Sequence, residues 1–452
     1  MNRQAPSAAT RTSIAAILAV LVLTPRGPLH SASGPLAVAS AQLELGALIS
    51  TFEDLSEAPQ RRADMGCRDL QSPRCQLNLA RVGALYVDLL ARTRAIQRSE
   101  LGSAGRIDLD VLEWQTRLAV SRYLDLDSDG FDQLGYTAHL LNHTGQQRDP
   151  VELHELGLQE VQRIHQAMLD FLHAQDPEAD LDTFLDAART DSRLFAASRE
   201  ELRSVARSVA ARIDRRLGSA FNQIPTAPYS VELLRRGQRG LMAQYRHGSE
   251  GLRGRPVGYV LLNSDPRQVP LYVLEALLLH EAMPGHHLQT TWSSPAAGSS
   301  WRRRFSVTAF VEGWGLYAES LGIDLGIYRH PMTEFGRLNL EMWRALRLVV
   351  DTGLHAFDWD LRRGEELFRK HTALPLDQIR IEVRRYQENP GQAVAYKVGE
   401  LKFRELRSRA EATLGAAFDL RAFHDAVLAH GPIPLQSLDD TVDAWVADTA
   451  GS

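Results

Sequence analysis

Apolar residues recur at intervals of three and four along the first half of the chain, which is the spacing of one face of an α-helix. Asp149–Pro150 supplies a helix start, because an acidic cap followed by proline is favoured there. We interpret residues 42–255 as a helical scaffold half. The pattern predicts helices over Leu43–Phe52, Leu77–Ile96, Ile107–Tyr123, Val151–Ala174, Leu181–Ala188, Ser198–Leu217 and Ser230–Arg246.

The pattern changes at Val257–Asn263, which is β-branched and aromatic and lies between prolines. This predicts one short strand, whose edge could hold an extended peptide; a buried loop is an equally good interpretation. Helical spacing then resumes, so residues 256–452 form a second half of the same domain. We expect a mainly α fold: a large two-lobed helical body around a cleft, with at most a short strand or small sheet. Further helices are predicted over Pro270–Leu288, Phe305–Leu321, Arg337–Phe357 and Leu438–Val446.

Composition narrows the partners of the protein. The 452 residues are 44% hydrophobic, enough for one large core or two lobes of one core. The 51 basic and 56 acidic residues give a net charge of −5 and are spread along the chain. The absence of a basic stripe argues against a nucleic-acid partner.

Residues 1–41 resemble an export signal. Arg3 and Arg11 precede the apolar segment Ile14–Leu23, and Ala39–Ala41 offers a small-residue cleavage site. The apolar segment is too short to span a membrane, so we expect a periplasmic or extracellular protein with no stable span. No cysteine comes directly after that segment, so a lipid-anchored form is not predicted. An uncleaved tail is the alternative.

The two cysteines, Cys67 and Cys75, are eight residues apart in a polar stretch. In an exported protein such a pair is expected to form a disulfide. A cysteine metal site would need closer spacing or more partners.

The stretch Leu277–Gln289 carries the first candidate chemistry. His280 and Glu281 end an apolar run, and Pro284–Gly285 separates them from His286 and His287. Imidazoles bind zinc, and an adjacent carboxylate can take a proton from a metal-activated water.

The spacing of these histidines excludes a regular helix. His286 would lie about 240° around the axis from His280, and His287 about 10 Å further along it. Pro284 cannot donate to the His280 carbonyl, and Gly285 accepts unusual dihedrals, so a bulge could bring one histidine to the metal. We favour His286 as the ligand, with His287 behind it. Two core histidines at a helix end are the alternative.

Glu312 is the candidate third ligand, because it lies in apolar sequence where an unpaired carboxylate is costly. Two histidines, one glutamate and water form an accepted catalytic zinc set. Glu319 shares the face of Glu312 and could orient a ligand histidine. A buried ion pair between Glu312 and an arginine is the alternative.

Two later stretches carry candidate catalytic and binding groups. His355 ends a polar stripe in which Arg347 and Asp351 could form an i,i+4 pair, so it is either part of a salt-bridged face or an oxyanion donor. Further on, Tyr386 and Tyr396 could stabilise an oxyanion, and Arg385 or Lys397 could anchor a substrate terminus; spacing alone does not assign these roles.

The motifs His280–Gln289, Glu312–Trp314, Asp351–His355 and Pro390–Ala393 with Tyr396–Lys397 resemble, in order, the signature of the bacterial family DUF885, domain of unknown function 885. The resemblance covers roughly Tyr259–Glu400. More distantly the arrangement is similar to gluzincin metallopeptidases, in which a His-Glu helix is followed by a helix that supplies a glutamate. The histidine spacing departs from that group.

The gluzincin resemblance implies that His280 and Glu312 are ligands and Glu281 the general base. With His286 added, we expect one Zn²⁺ ion and hydrolysis of short peptides, although manganese or iron could suit the same ligands. One alternative is a non-catalytic exported binding protein with a structural or vestigial metal site. Another is hydrolysis of a non-peptide amide or ester.

Overall fold

The computed structural model describes residues 35–57, 72–124, 135–235, 240–248, 258–292 and 301–451. Over these residues the chain is mainly α-helical, as predicted. The helices are α1 Pro35–Glu57, α2 Pro73–Ala95, α3 Ser103–Leu124, α4 Tyr136–Thr144, α5 Pro150–Gln175, α6 Leu181–Thr190, α7 Arg199–Asp214, α8 Leu274–Glu281, α9 His286–Trp292, α10 Thr308–Asp324, α11 Pro331–Ala356, α12 Leu361–His371, α13 Leu376–Glu388, α14 Val394–Leu414, α15 Leu420–Leu428 and α16 Leu435–Ala450.

Side-chain caps start several helices of the first half. The carboxylates of Asp149 and Asp180 accept from backbone N–H groups of α5 and α6, and the hydroxyl of Ser198 does the same for α7. Each cap satisfies a donor that the helix itself cannot pair, which stabilises it by about 1 kcal/mol.

The N-terminal predictions fall partly outside the described residues. Residues 1–34, most of the predicted export signal, lie there, and α1 runs through the expected cleavage site at Ala39–Ala41. Cys75 is buried in α2. Its predicted disulfide partner, Cys67, lies outside the described residues. Among the helices that are described, none combines the length and apolar character needed to cross a membrane.

A small sheet replaces the helix that was predicted over Ser230–Arg246, which is therefore wrong. Its strands are β1 Tyr229–Leu233, β2 Ala243–His247 and β3 Gly258–Leu262, in the order β1-β3-β2. β3 is parallel to β1 and antiparallel to β2, so that Val260 lies opposite both Val231 and Tyr245. A strand is stabilised by pairing with another strand. The partner of both β1 and β2 is β3, which lies outside Ser230–Arg246, so the pairing is not visible in the local pattern from which the helix was predicted.

The predicted strand is present as β3, but it lies in the middle of the sheet, whereas an open strand edge was expected. Both of its edges are paired within the sheet. An extended peptide therefore cannot add to β3, and the edge strands are β1 and β2.

Helix α11 runs through the centre of the second half. Every residue from Leu338 to Gly353 is buried, including several charged ones. The helix contacts α5, α8, α12, α13 and α14, while α10 packs along α14 and α8. This packing places α8, α10, α11 and α14 around one interior region, where the candidate site lies.

Candidate metal centre

The predicted break between the histidines is a tight turn between α8 and α9. Ala282 leaves the helical region with φ −99° and ψ −116°, and the Met283–Pro284 peptide bond is cis. The His287 N–H then donates to the Ala282 carbonyl at 3.1 Å. A Cβ on Gly285 would lie 1.8 Å from the His280 carbonyl oxygen, so only glycine fits this turn.

The turn brings His280 and His286 together, and α10 adds Glu312. The Nε2 atoms of both histidines lie 3.4 Å from Oε2 of Glu312, and the two rings are 4.7 Å apart at 84°. One donor atom from each of the three residues lies within 4.8 Å of the others. Two ligands each about 2 Å from a tetrahedral zinc ion are separated by roughly 3.3 Å, so the observed spacing suits such an ion. We call these residues the metal triad.

Glu319, about two turns further along α10, orients His280. Its Oε1 lies 2.9 Å from Nδ1 of His280 and 2.9 Å from Nη2 of Arg344. A proton on Nδ1 that is shared with this carboxylate leaves the Nε2 lone pair directed towards Glu312. The His280 ring also packs against the α10 backbone, since a Cβ on Gly315 would lie 2.7 Å from Cε1 of the imidazole.

Hydrogen bonds within the metal triad oppose the effect of burial on the pKa of Glu312 and on the pKa of His280. Burial alone would raise the pKa of Glu312, but hydrogen bonds from His280 and His286 hold it well below its usual range. Burial likewise would lower the pKa of His280, yet hydrogen bonds to Glu312 and Glu319 raise it to about 9. Metal binding at such a site displaces protons, because the imidazoles must give up the nitrogen that coordinates the ion.

A cavity of about 150 Å³ opens beside the metal triad. Glu281 is buried and lines it, and so does Tyr396, whose ring lies 6.3 Å from that of His280 at an angle of 15°. The structure therefore places both side chains in the cavity of the metal triad. The other residues of the wall are Leu241, Met242, Ala243, Gln244, Tyr245, Leu277, Trp343, Arg344, Arg347 and Glu382.

His287 faces away from the metal triad. Its Nδ1 lies 3.1 Å from the Tyr245 hydroxyl and its Nε2 lies 2.8 Å from the Ala227 carbonyl oxygen. Burial lowers the pKa of this imidazole. His287 thus ties α9 to β2 and to the segment before β1, and of the two adjacent histidines only His286 joins the triad.

Two of the expected oxyanion donors lie elsewhere. His355 Nε2 lies 3.0 Å from the Tyr386 carbonyl oxygen, and its ring stacks on Tyr136. The Tyr386 hydroxyl is buried and accepts from Trp343 Nε1 and Arg347 Nε, each at 3.0 Å. Neither His355 nor Tyr386 lines the 150 Å³ cavity. Both groups therefore have other partners, Tyr386 in the core and His355 in a partly buried position.

The expected substrate anchors are also not at the metal triad. Lys397 is fully buried, and its Nζ lies 2.9–3.1 Å from carboxylate oxygens of Glu160, Glu341 and Glu400. These carboxylates thereby use its three N–H donors. Arg385 lines a separate cavity of about 870 Å³ and pairs with Glu382 at 2.9 Å.

The expected pair between Arg347 and Asp351 is replaced by other partners. Arg347 Nη2 lies 3.1 Å from Glu382 Oε2. Asp351 Oδ1 accepts from the Tyr136 hydroxyl at 2.8 Å and from the Gly391 N–H at 2.9 Å.

Arg347 and Arg344 line the metal cavity, although Arg347 was expected only to pair with Asp351. Arg347 stands between Leu346 and Leu348 in a helix that is buried all round, and such a position is costly for a guanidinium without a specific partner. That signal was present in the sequence.

The molecule is thus a mainly α-helical protein in which two buried histidines and a partly buried glutamate converge beside a cavity. Residues 133–442 match the sequence model described as "Bacterial protein of unknown function (DUF885)", and the chain belongs to this family. This confirms the family resemblance that was inferred from the four motifs, whereas the gluzincin likeness stays a prediction. No curated protein matches the chain.

Two solved structures share the fold. A "putative lipoprotein" from Colwellia psychrerythraea is 27% identical, with a TM-score of 0.64 over 82% of this chain and 70% of that chain. A "putative lipoprotein of unknown function" from Shewanella oneidensis is 17% identical, with a TM-score of 0.57 over 81% of this chain and 71% of that chain. The second likeness concerns the fold alone.

Proposed function

We propose that this protein is a zinc-dependent metallopeptidase that cleaves short peptides. The observation that carries the proposal is the convergence of His280, His286 and Glu312 at the donor spacing of a tetrahedral ion. Glu281 lines the cavity beside these donors. A set of three protein ligands leaves one coordination position open, which distinguishes catalytic from structural zinc sites.

The residues present fit a zinc ion. His280, His286 and Glu312 would hold it, and the contact between His280 and Glu319 is the carboxylate partner that zinc-binding histidines commonly have. A bound zinc ion supplies Lewis-acid activation of water and of a substrate carbonyl. Manganese or iron would suit the same donor set.

The protein's own groups supply the proton transfers. Glu281 accepts a proton from the attacking water and delivers it to the leaving nitrogen, because its carboxylate lies in the cavity rather than among the ligands. The Tyr396 hydroxyl donates to the carbonyl oxygen as negative charge develops there. Burial raises the pKa of Tyr396, so this hydroxyl keeps its proton at neutral pH.

Export is part of the proposal. Its support is the pattern of residues 1–41, in which basic residues, a short apolar segment and a small-residue site follow one another. The two solved structures of this fold are described as "putative lipoproteins", which agrees with a location outside the cytoplasm.

The test uses the adjacent histidines as a matched pair. Elemental analysis of the purified protein should find about one zinc ion per chain, lost in His286→Ala and retained in His287→Ala. A mixed peptide library should be hydrolysed, and a chelator should stop the reaction. Bound zinc without hydrolysis would instead favour the non-catalytic binding protein, and cleavage of amide or ester compounds alone would favour a non-peptide substrate. Absence of bound metal would refute the proposal.

A further inference from the structure

A second charged group lines the cavity of the metal triad. Arg347 is 4% exposed, and its guanidinium donates from Nη2 to Glu382 at 3.1 Å and from Nε to the Tyr386 hydroxyl at 3.0 Å. Its Nη1 is buried and has no hydrogen-bond partner among the described residues. A buried donor that is left unpaired costs about 1–3 kcal/mol, and more when the group is charged.

Aromatic rings hold this guanidinium in place. Cζ of Arg347 lies 4.1 Å from the ring centre of Tyr396 and 4.7 Å from that of Trp343. These cation–π contacts and the two hydrogen bonds fix the side chain. The free Nη1 is therefore part of a rigid arrangement that precedes any ligand.

The charges around the metal triad would balance with an ion bound. Glu281, Glu312 and Glu319 are three carboxylates, and a divalent ion together with Arg344 would supply three positive charges.

The charges around Glu382, which also lines the cavity, do not balance. Arg347 and Arg385 both pair with Oε2 of Glu382, at 3.1 and 2.9 Å, which gives two positive charges against one negative. Asp351 interacts electrostatically with Arg385 from a longer distance, but within the described residues it forms no salt bridge with either guanidinium, and its Oδ1 accepts from Tyr136 and Gly391. Buried charges are normally paired, so a site of this kind suits an anionic ligand.

We propose that Arg347 binds the carboxylate at the end of the substrate, so that the enzyme acts on short peptides with a free C-terminus. This inference rests on the proposed peptidase function. A cavity of about 150 Å³ that holds both Arg347 and the metal triad is small beside ligand pockets of roughly 300–1,000 Å³. A carboxylate on Arg347 therefore lies close to the bond that is cleaved, and the product is a single C-terminal residue.

The experiment compares matched tripeptides that differ only at the C-terminus, one a free acid and the other its amide. With the zinc-loaded wild-type protein, kcat/KM should favour the acid by on the order of 10- to 100-fold, the range of one charge-assisted hydrogen bond. Arg347→Met should bring this ratio close to one while the protein keeps its zinc, and Arg347→Lys should retain part of the preference. Arg362→Met removes an exposed arginine that pairs with Glu366, and it should leave the ratio unchanged.

The outcomes separate the two proposals. Zinc-loaded protein that cleaves neither peptide would overturn the peptidase function itself. Equal cleavage of acid and amide would leave the peptidase in place and overturn the role of Arg347, as would a preference that survives in folded Arg347→Met. The wild-type comparison needs no variant, so it can overturn the proposal even if Arg347→Met does not fold, and Arg347→Lys then tests the assignment to this residue.

Discussion

Among the described residues, two clusters of charged side chains surround a buried group, His280 in one and Lys397 in the other, and the two clusters differ in character. The first is the metal triad. The second, which we call the lysine cluster, surrounds Lys397 and consists of Lys397, Arg163, Arg337, Arg404, Glu160, Glu334, Glu341 and Glu400. The lysine cluster has four positive and four negative side chains, so it is neutral by itself.

The partners of the carboxylates explain the difference. In the lysine cluster burial would raise the pKa of Glu341, but Lys397, Arg163 and Arg337 outweigh burial and lower it. These cations keep their protons under all ordinary conditions. In the metal triad the partners of Glu312 are imidazoles, which can release a proton and present a lone pair to a metal. A buried carboxylate indicates a metal site when its neighbours can lose protons and a cavity adjoins them.

The largest effect that this comparison predicts is at Glu281. Glu281→Gln keeps the size of the side chain but removes the proton acceptor, so peptide hydrolysis should fall by about 10²- to 10⁴-fold. Zinc content should stay the same, because Glu281 is not one of the three converging donors. Rates measured on zinc-loaded protein check this, and a variant with full metal-dependent activity would show that another group is the base.

The next effect concerns the lysine cluster. Lys397→Met leaves three carboxylates without their shared cation in a buried place, and the free energy of unfolding should drop by about 3–5 kcal/mol. Urea denaturation measures this drop. Lys402→Met, one turn further along α14, removes a lysine whose partners are more exposed, and it should cost less than about 1 kcal/mol. If Lys397→Met were as stable as the wild type but lost its preference for free acids, Lys397 would be the substrate anchor.

A third buried carboxylate, Asp351, sharpens the comparison because its partners are neutral donors. Burial raises the pKa of Asp351 from 3.8 to about 6, although the hydrogen bond from Tyr136 acts in the opposite direction. The folded state then binds an extra proton between pH 4 and 6, so its stability decreases as the pH rises through this window. The decrease is at most about 3 kcal/mol.

Asp351→Asn cannot ionise but keeps the oxygen that accepts from Tyr136 and Gly391. The difference in unfolding free energy between wild type and variant should therefore shift in favour of the variant from pH 4 to pH 7. Denaturant unfolding at several pH values measures it. A difference that does not change with pH would mean that Asp351 titrates at its ordinary pKa.

The sequence predicted the helical class and the residues of the metal triad, because both can be recognised within short stretches of the chain. Helical periodicity is a local property, and an adjacent His-Glu pair followed by a Pro-Gly break restricts the chain geometry strongly. The carboxylate partners of Lys397 could not be predicted in this way, since Glu160 lies on α5, far away along the chain. The strands β1 and β2 were missed for the same reason, because their pairing with β3 is not visible in either segment alone.

The wall of the metal cavity is divided between unlike parts of the fold. All three donors come from α8, α9 and α10, whereas one face of the cavity is formed by Leu241–Tyr245, at the start of strand β2. Residues there can be exchanged without touching a donor. We expect substitutions at Leu241 and Gln244 to change the range of substrates, while the residues that carry out the proposed reaction stay the same.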